Sequence, residues 1–134
     1  MNLTAIKEAL NAKEFEEFDA YICSPYRGDT KKNTKTAKNY CRYAIQRGYS
    51  PICPHLFFTQ FLDDNKEEER QLGLDLAKRC IGFCDEFFVF LNENRTISEG
   101  MQGEIEYAQE QGKKITFVSC EEVTAALEDK TEKQ

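Results

Sequence analysis

The sequence predicts one α/β domain: a Rossmann- or flavodoxin-like parallel sheet of about four to five strands with helices on both faces. Three observations lead there. Strand-like and helix-like segments alternate along all 134 residues, with no internal repeat and no linker that would split the chain. The runs FDAYICS (18–24) and DEFFVFL (85–91) read as strands, the first of them buried. A hydrophobic content of 40% is enough to build one real core at this length.

The elements follow in order. Leu3, Ile6 and Leu10 recur at helical spacing within 2–12. After the strand 18–24 the chain turns at SPYRGDT, and Asn33 opens a helix whose apolar face is Ala37, Tyr40, Cys41, Ala44 and Ile45. Arg47-Gly48 closes that helix. SPICP (50–54) is a short second strand, and PHLFFTQFLDDN an aromatic loop with room for one helical turn. A helix from Glu67 to Ile81 leads into the third strand, and the loop NENRT into a helix that stops near Gly112. KITFVS (114–119) is a fourth strand, EEVTAALEDK a last helix, and the charged residues from about 129 to 134 a tail.

Charge and composition exclude whole classes of function. A net charge of −6 and a pI near 4.9 argue against a nucleic-acid binder, which needs a basic face. No apolar run approaches the roughly 18 residues of a membrane span. The polar, acidic start MNLTAIKEALNAKEFEEF is unlike a signal peptide. Six cysteines in a regular α/β pattern point to reduced, mostly buried thiols in a cytoplasmic protein. Cys80-x₃-Cys84 is the nearest approach to a zinc motif, so no metal is implied; no organic cofactor is expected either.

In an open parallel sheet, ligands bind beyond the carboxyl ends of the strands, where the strand order reverses. That rule selects SPYRGD, PHLFF and NENRTISEGM, and the unusual residues of the chain lie in them. Glu104 falls early in the helix after the third strand, at the edge of an apolar stripe formed by Met101, Ile105 and Ala108. The helix dipole there would keep it ionised; the alternative is an exposed glutamate in a helix rich in Glu and Gln. Ser98 is either a plain N-cap, with Thr96 and Glu99 offering a capping box two residues earlier, or part of an anion site with the N–H groups of Gly100 and Met101. Arg27 and Gly28 suit phosphate in the same way, by a forked donor and by close backbone approach. Tyr21 needs a hydroxyl partner if buried, Asp85 opens an apolar strand, and His55, the lone histidine, is a loop residue able to stack on a base.

Four segments together resemble the nucleoside 2-deoxyribosyltransferase superfamily, and within it the 2′-deoxynucleoside 5′-phosphate N-hydrolases. They are YICSPYRG (21–28), CDEFFVF (84–90), S-x-G-M-x-G-E (98–104) and E-I-x-Y-A…G-K (104–113). The resemblance implies that Glu104 is the nucleophile attacking C1′ of the sugar and that Tyr21 hydrogen-bonds it. Asp85 would hold sugar hydroxyls or manage the proton of the leaving base, with Tyr21, Asp85 and Glu104 converging at the carboxyl edge of the sheet. Six residues before the nucleophile the transferases carry aspartate and the monophosphate hydrolases serine; Ser98 therefore favours a phosphate, which a second carboxylate would repel. The chain departs from the pattern at SPY, at Glu106 where glycine is common, and in the aromatic stretch PHLFFTQFLDDNKEEER.

The expected function is thus hydrolysis or exchange of the N-glycosidic bond of a (deoxy)nucleoside 5′-monophosphate through a glycosyl–Glu intermediate. A nucleotide-sensing module without turnover, a nucleoside-specific 2-deoxyribosyltransferase and a hydrolase of the glycosidic bond of NAD are the alternatives. The partner is a small nucleotide or nucleoside, not a nucleic acid or a membrane, and Phe57, Phe58 and Phe61 offer a contact for a homodimer.

Overall fold

A computed structural model of the chain describes residues 2–12 and 19–128. Four strands, β1 (Asp19–Cys23), β2 (Ser50–Ile52), β3 (Glu86–Phe90) and β4 (Lys114–Val118), form one parallel sheet in the order β2-β1-β3-β4. This is the expected flavodoxin-like α/β sheet, with four strands among the described residues. Tyr21 pairs with Ile52 on one side and Phe87 on the other, so β1 and β3 are central and their residues are apolar nearly throughout. The strand order reverses at β1, which places the ligand-binding crevice beyond the ends of β1 and β3.

Alternating side chains divide the core. Ala20, Ile22, Phe88 and Phe90 pack on Tyr40, Tyr43 and Ala44 of α2 (Thr30–Gln46) and Val123 of α6 (Cys120–Leu127). Tyr21, Cys23, Phe87 and Val89 pack on Ile81 of α4 (Glu67–Phe83) and on Met101, Ile105 and Ala108 of α5 (Glu99–Glu110). Period two in the strands and the 3.6-residue period in the helices therefore build two cores on one sheet. The short helix α1 (Leu3–Ala12) lies so close to the end of α2 that a Cβ on Gly48 would stand 2.8 Å from the Ala9 carbonyl oxygen. Gly48 also has φ +87°, a left-handed value that favours glycine.

Two boundaries differ from the sequence expectation, one through a local hydrogen bond and one through a proline. Helix α2 begins three residues before Asn33, because Asp29 caps it by accepting from the Lys32 N–H at 3.1 Å. Asn33 instead ties down the preceding turn, donating to the carbonyls of Tyr26 (3.0 Å) and Arg27 (3.2 Å). Strand β2 ends at Ile52 because Pro54 starts a helical turn, α3 (Pro54–Phe57), continued by a 3-10 turn over Phe58–Gln60. The tail from 129 and Phe18 of the first strand lie outside the described residues. No described helix is long and apolar enough to cross a membrane.

Candidate active site

The turn after β1, helix α3, the first turns of α4 and the start of α5 enclose a cavity of about 240 Å³ at the carboxyl end of the sheet. Glu104 forms part of its floor. Although the sequence places it at the edge of the apolar stripe, it is only 8% exposed. The Tyr21 hydroxyl, itself fully buried in β1, donates to Glu104 Oε2. The Cys23 thiol, one pleat further along the same face, reaches Oε1 at 3.5 Å. Each carboxylate oxygen thus has one donor beneath it, and the residue still borders the cavity above.

Two opposing effects set its charge. Burial disfavours the ionised form, whereas the bonds from Tyr21 and Cys23 favour it; burial wins and the carboxyl is raised to about 7. The dipole-held, fully ionised carboxylate expected from the sequence is corrected here. Glu104 is the sixth residue of α5, and the dipole effect fades within the first turn. Burial, and secondarily the Glu104 charge, raises Tyr21 and Cys23 well above their usual ranges, so both stay protonated as donors.

At the rim, Ser98 caps α5 by accepting from the Met101 N–H at 3.2 Å. The capping box expected of Thr96 and Glu99 is absent, because Asn92 takes the Thr96 N–H at 3.1 Å and folds the NENRT loop back. The Met101 N–H is likewise committed to Ser98, so the backbone pair expected to meet an anion is reduced to the stretch at Glu99 and Gly100. Ser98, Gly100 and Met101 all line the cavity, as do Arg27 and His55. Arg27 is an exposed side chain whose Nε lies 3.5 Å from Asp64 Oδ2. Gly28 does not line it; its φ of +99° is a left-handed value that favours glycine in the turn.

His55 is held rather than incidental. Its ring stacks on Tyr26 at 5.2 Å between centroids, and a ring N–H donates to the Ser24 carbonyl. Burial lowers its pKa, against an opposing pull from Asp64, so the imidazole is neutral near pH 7.

Asp85 does not join the site. It precedes β3 at the amino end of the sheet, where it is exposed and Oδ2 accepts from the Asp19 N–H at 3.2 Å. Parallel strands put all their carboxyl ends on one edge, so a residue heading β3 stands a strand's length from that edge. The expected convergence holds for Tyr21 and Glu104 and fails for Asp85. Sequence reasoning also missed Cys23, Ser24, Asp64 and Arg70. Cys23 was legible as the next residue on the Tyr21 face; Asp64 and Arg70 carried no signal, since only folding brings them to the cavity. Among the described residues there is no His/Cys/Asp/Glu cluster able to hold a metal, and all six cysteines are free.

The sequence profile of a family described as a domain of unknown function, DUF7768, matches residues 19–118, from the first residue of β1 to the last of β4. The chain belongs to the DUF7768 family. No curated protein matches it. The DUF7768 domain is similar in fold to a 2-deoxyribosyltransferase from Bacillus psychrosaccharolyticus, with a TM-score of 0.57 and 19% identity over 75% of this chain and 72% of that one. It is also similar to a 2-deoxyribosyltransferase from Leishmania mexicana, with a TM-score of 0.51 and 20% identity over 76% of this chain. It spans 64% of that second protein's length. The DUF7768 domain therefore has the deoxyribosyltransferase fold.

Proposed function

We propose that this DUF7768 domain cleaves or exchanges the N-glycosidic bond of a (deoxy)nucleoside 5′-monophosphate. The observation that carries the reading is the buried Glu104 carboxylate, held from below by Tyr21 and Cys23 and bordering the cavity. A carboxylate kept in a dry site at the cost of a pKa near 7 is more nucleophilic than a solvated one. Its ionised form attacks C1′; the C1′–N bond breaks, and its electron pair leaves with the base, which takes up a proton. Water, or a second base, then attacks C1′ of the glycosyl–Glu104 ester and regenerates the carboxylate. The monophosphate sits where the first turn of α5, Ser98 and the Arg27 guanidinium meet, as helix N-termini and arginine forks favour anions. The shared fold of enzymes named as 2-deoxyribosyltransferases supports sugar transfer from a base. Free thiols suit a reducing, cytoplasmic setting, and exposed Phe57 and Phe61 suit a homodimer.

The test is incubation of wild type and Glu104→Gln with nucleosides, ribo- and deoxynucleoside monophosphates and NAD, with free base read by chromatography and the glycosyl–enzyme by mass spectrometry. Wild type should release base from a monophosphate faster than from its nucleoside, and Glu104→Gln from neither. Release from nucleosides alone would favour the nucleoside transferase, release from NAD alone the NAD hydrolase. Binding of a monophosphate without any release would leave a sensing module.

A further inference from the structure

Ser24 is the residue in this site with an unexplained polar atom. It follows β1 and is 1% exposed, yet its hydroxyl has no hydrogen-bond partner among the described residues. A buried hydroxyl left unpaired is destabilising, and alanine would fill the same space without that cost. Its neighbours are fixed. Cys23, one residue earlier, bonds Glu104, and the Ser24 carbonyl receives the ring N–H of His55, which stacks on Tyr26. The backbone that carries the hydroxyl is therefore anchored from both sides, and Ser24 lines the cavity that Glu104 borders.

The place of Ser24 in the lining, just past the end of β1, says which part of a ligand it meets. With the phosphate at the first turn of α5 and C1′ at Glu104, the remaining polar groups of the sugar are its ring hydroxyls, next to the reacting carbon. We propose that Ser24 is a specificity-determining residue, which hydrogen-bonds a ring hydroxyl of the substrate's sugar. The inference rests on the proposed function for its substrate class, and it commits the pocket to a sugar recognised by its hydroxyls rather than by shape alone.

The experiment compares Ser24→Ala with wild type on three nucleoside monophosphates of one base: ribo, 2′-deoxy and 3′-deoxy. The variant should fold, with an unchanged or higher melting temperature, since no partner is orphaned. Its kcat/KM should fall roughly 10- to 100-fold more on substrates carrying the contacted hydroxyl than on the analogue lacking it. A 2′ contact spares the 2′-deoxy substrate, a 3′ contact the 3′-deoxy one, and either pattern supports the proposal. An equal loss on all three, or no loss, overturns it. Binding of ribose 5-phosphate, 2-deoxyribose 5-phosphate and inorganic phosphate, measured by calorimetry, separates this from the failure of the proposed reaction. If wild type releases no base but Ser24→Ala weakens a sugar phosphate and not phosphate itself, the reaction fails and the contact stands. If wild type binds neither sugar phosphate more tightly than phosphate, the contact fails.

Discussion

Glu104 holds its ionisable proton more tightly when folded than when unfolded, the reverse of an ordinary surface carboxylate. Its folded pKa of about 7 exceeds the 4.5 of the free side chain. The folded state therefore binds more protons between these values, and stability falls as pH rises through that window. The stabilising contribution is fully present below pH 4.5 and lost above about 7, a difference of about 3 kcal/mol. Glu104→Gln keeps one acceptor oxygen, enough for Tyr21 or Cys23 but not both, and cannot ionise, so its melting temperature should gain on wild type from pH 5 to pH 8. Glu104→Ala is the poorer probe of stability, because it orphans the buried Tyr21 hydroxyl. Base release runs the other way. It needs the carboxylate, so the wild-type rate should climb through about pH 7 and the Glu104→Gln rate should be lost at every pH. Tyr21→Phe removes a donor that favours the charged form. The rising limb of its pH profile should move to higher pH, and an unshifted limb would show that another group titrates.

Helix α5 positions the chemistry at its start, whereas β3 keeps Asp85 away from it. The start of α5 is capped by a single side chain, Ser98, whose oxygen accepts one backbone N–H. Ser98→Ala should cost about 1 kcal/mol of stability from the lost cap. It should also weaken a nucleoside monophosphate by about 1–3 kcal/mol while changing the matching nucleoside much less. Equal weakening of both ligands, read by calorimetry, would remove Ser98 from phosphate recognition. At the other end of β3, Asp85 serves the sheet edge by accepting from the Asp19 N–H. Asp85→Asn should leave the rate of base release within about twofold and cost under about 1 kcal/mol, since the bond lost is exposed. A thousandfold loss of rate would return Asp85 to the reaction.

For the molecule as a whole, the aromatic segment between β2 and α4 has two faces. Pro54, His55, Phe58 and Leu62 wall the cavity, whereas Phe57 and Phe61 stand 57% and 65% exposed with their rings 5.1 Å apart. An exposed aromatic pair on the outer side of a site's wall favours association. Sedimentation should show a dimer that Phe57→Ser with Phe61→Ser converts to monomer, with base release changed because the same segment holds His55. A wild-type monomer would leave Phe57 and Phe61 as plain exposed apolar surface.

The alternation of strand and helix, the buried central strands and the three loops that reach the crevice were all readable in the residues. Period two, period 3.6 and turn chemistry are local properties, and the carboxyl-edge rule converts them into a place. Glu104, Tyr21, Arg27, Ser98 and His55 could be found that way because each lies on or beside a selected loop. Local pattern does not say what a polar side chain meets across the fold. The Tyr21 bond to Glu104 spans 83 residues, and the bond from Asp19 to Asp85 at the amino end of the sheet spans 66. Burial is equally a tertiary property. Only the packing of α5 on β1 and β3 buried Glu104 and raised it to about 7, and only the folded chain buries the Ser24 hydroxyl with no partner among the described residues.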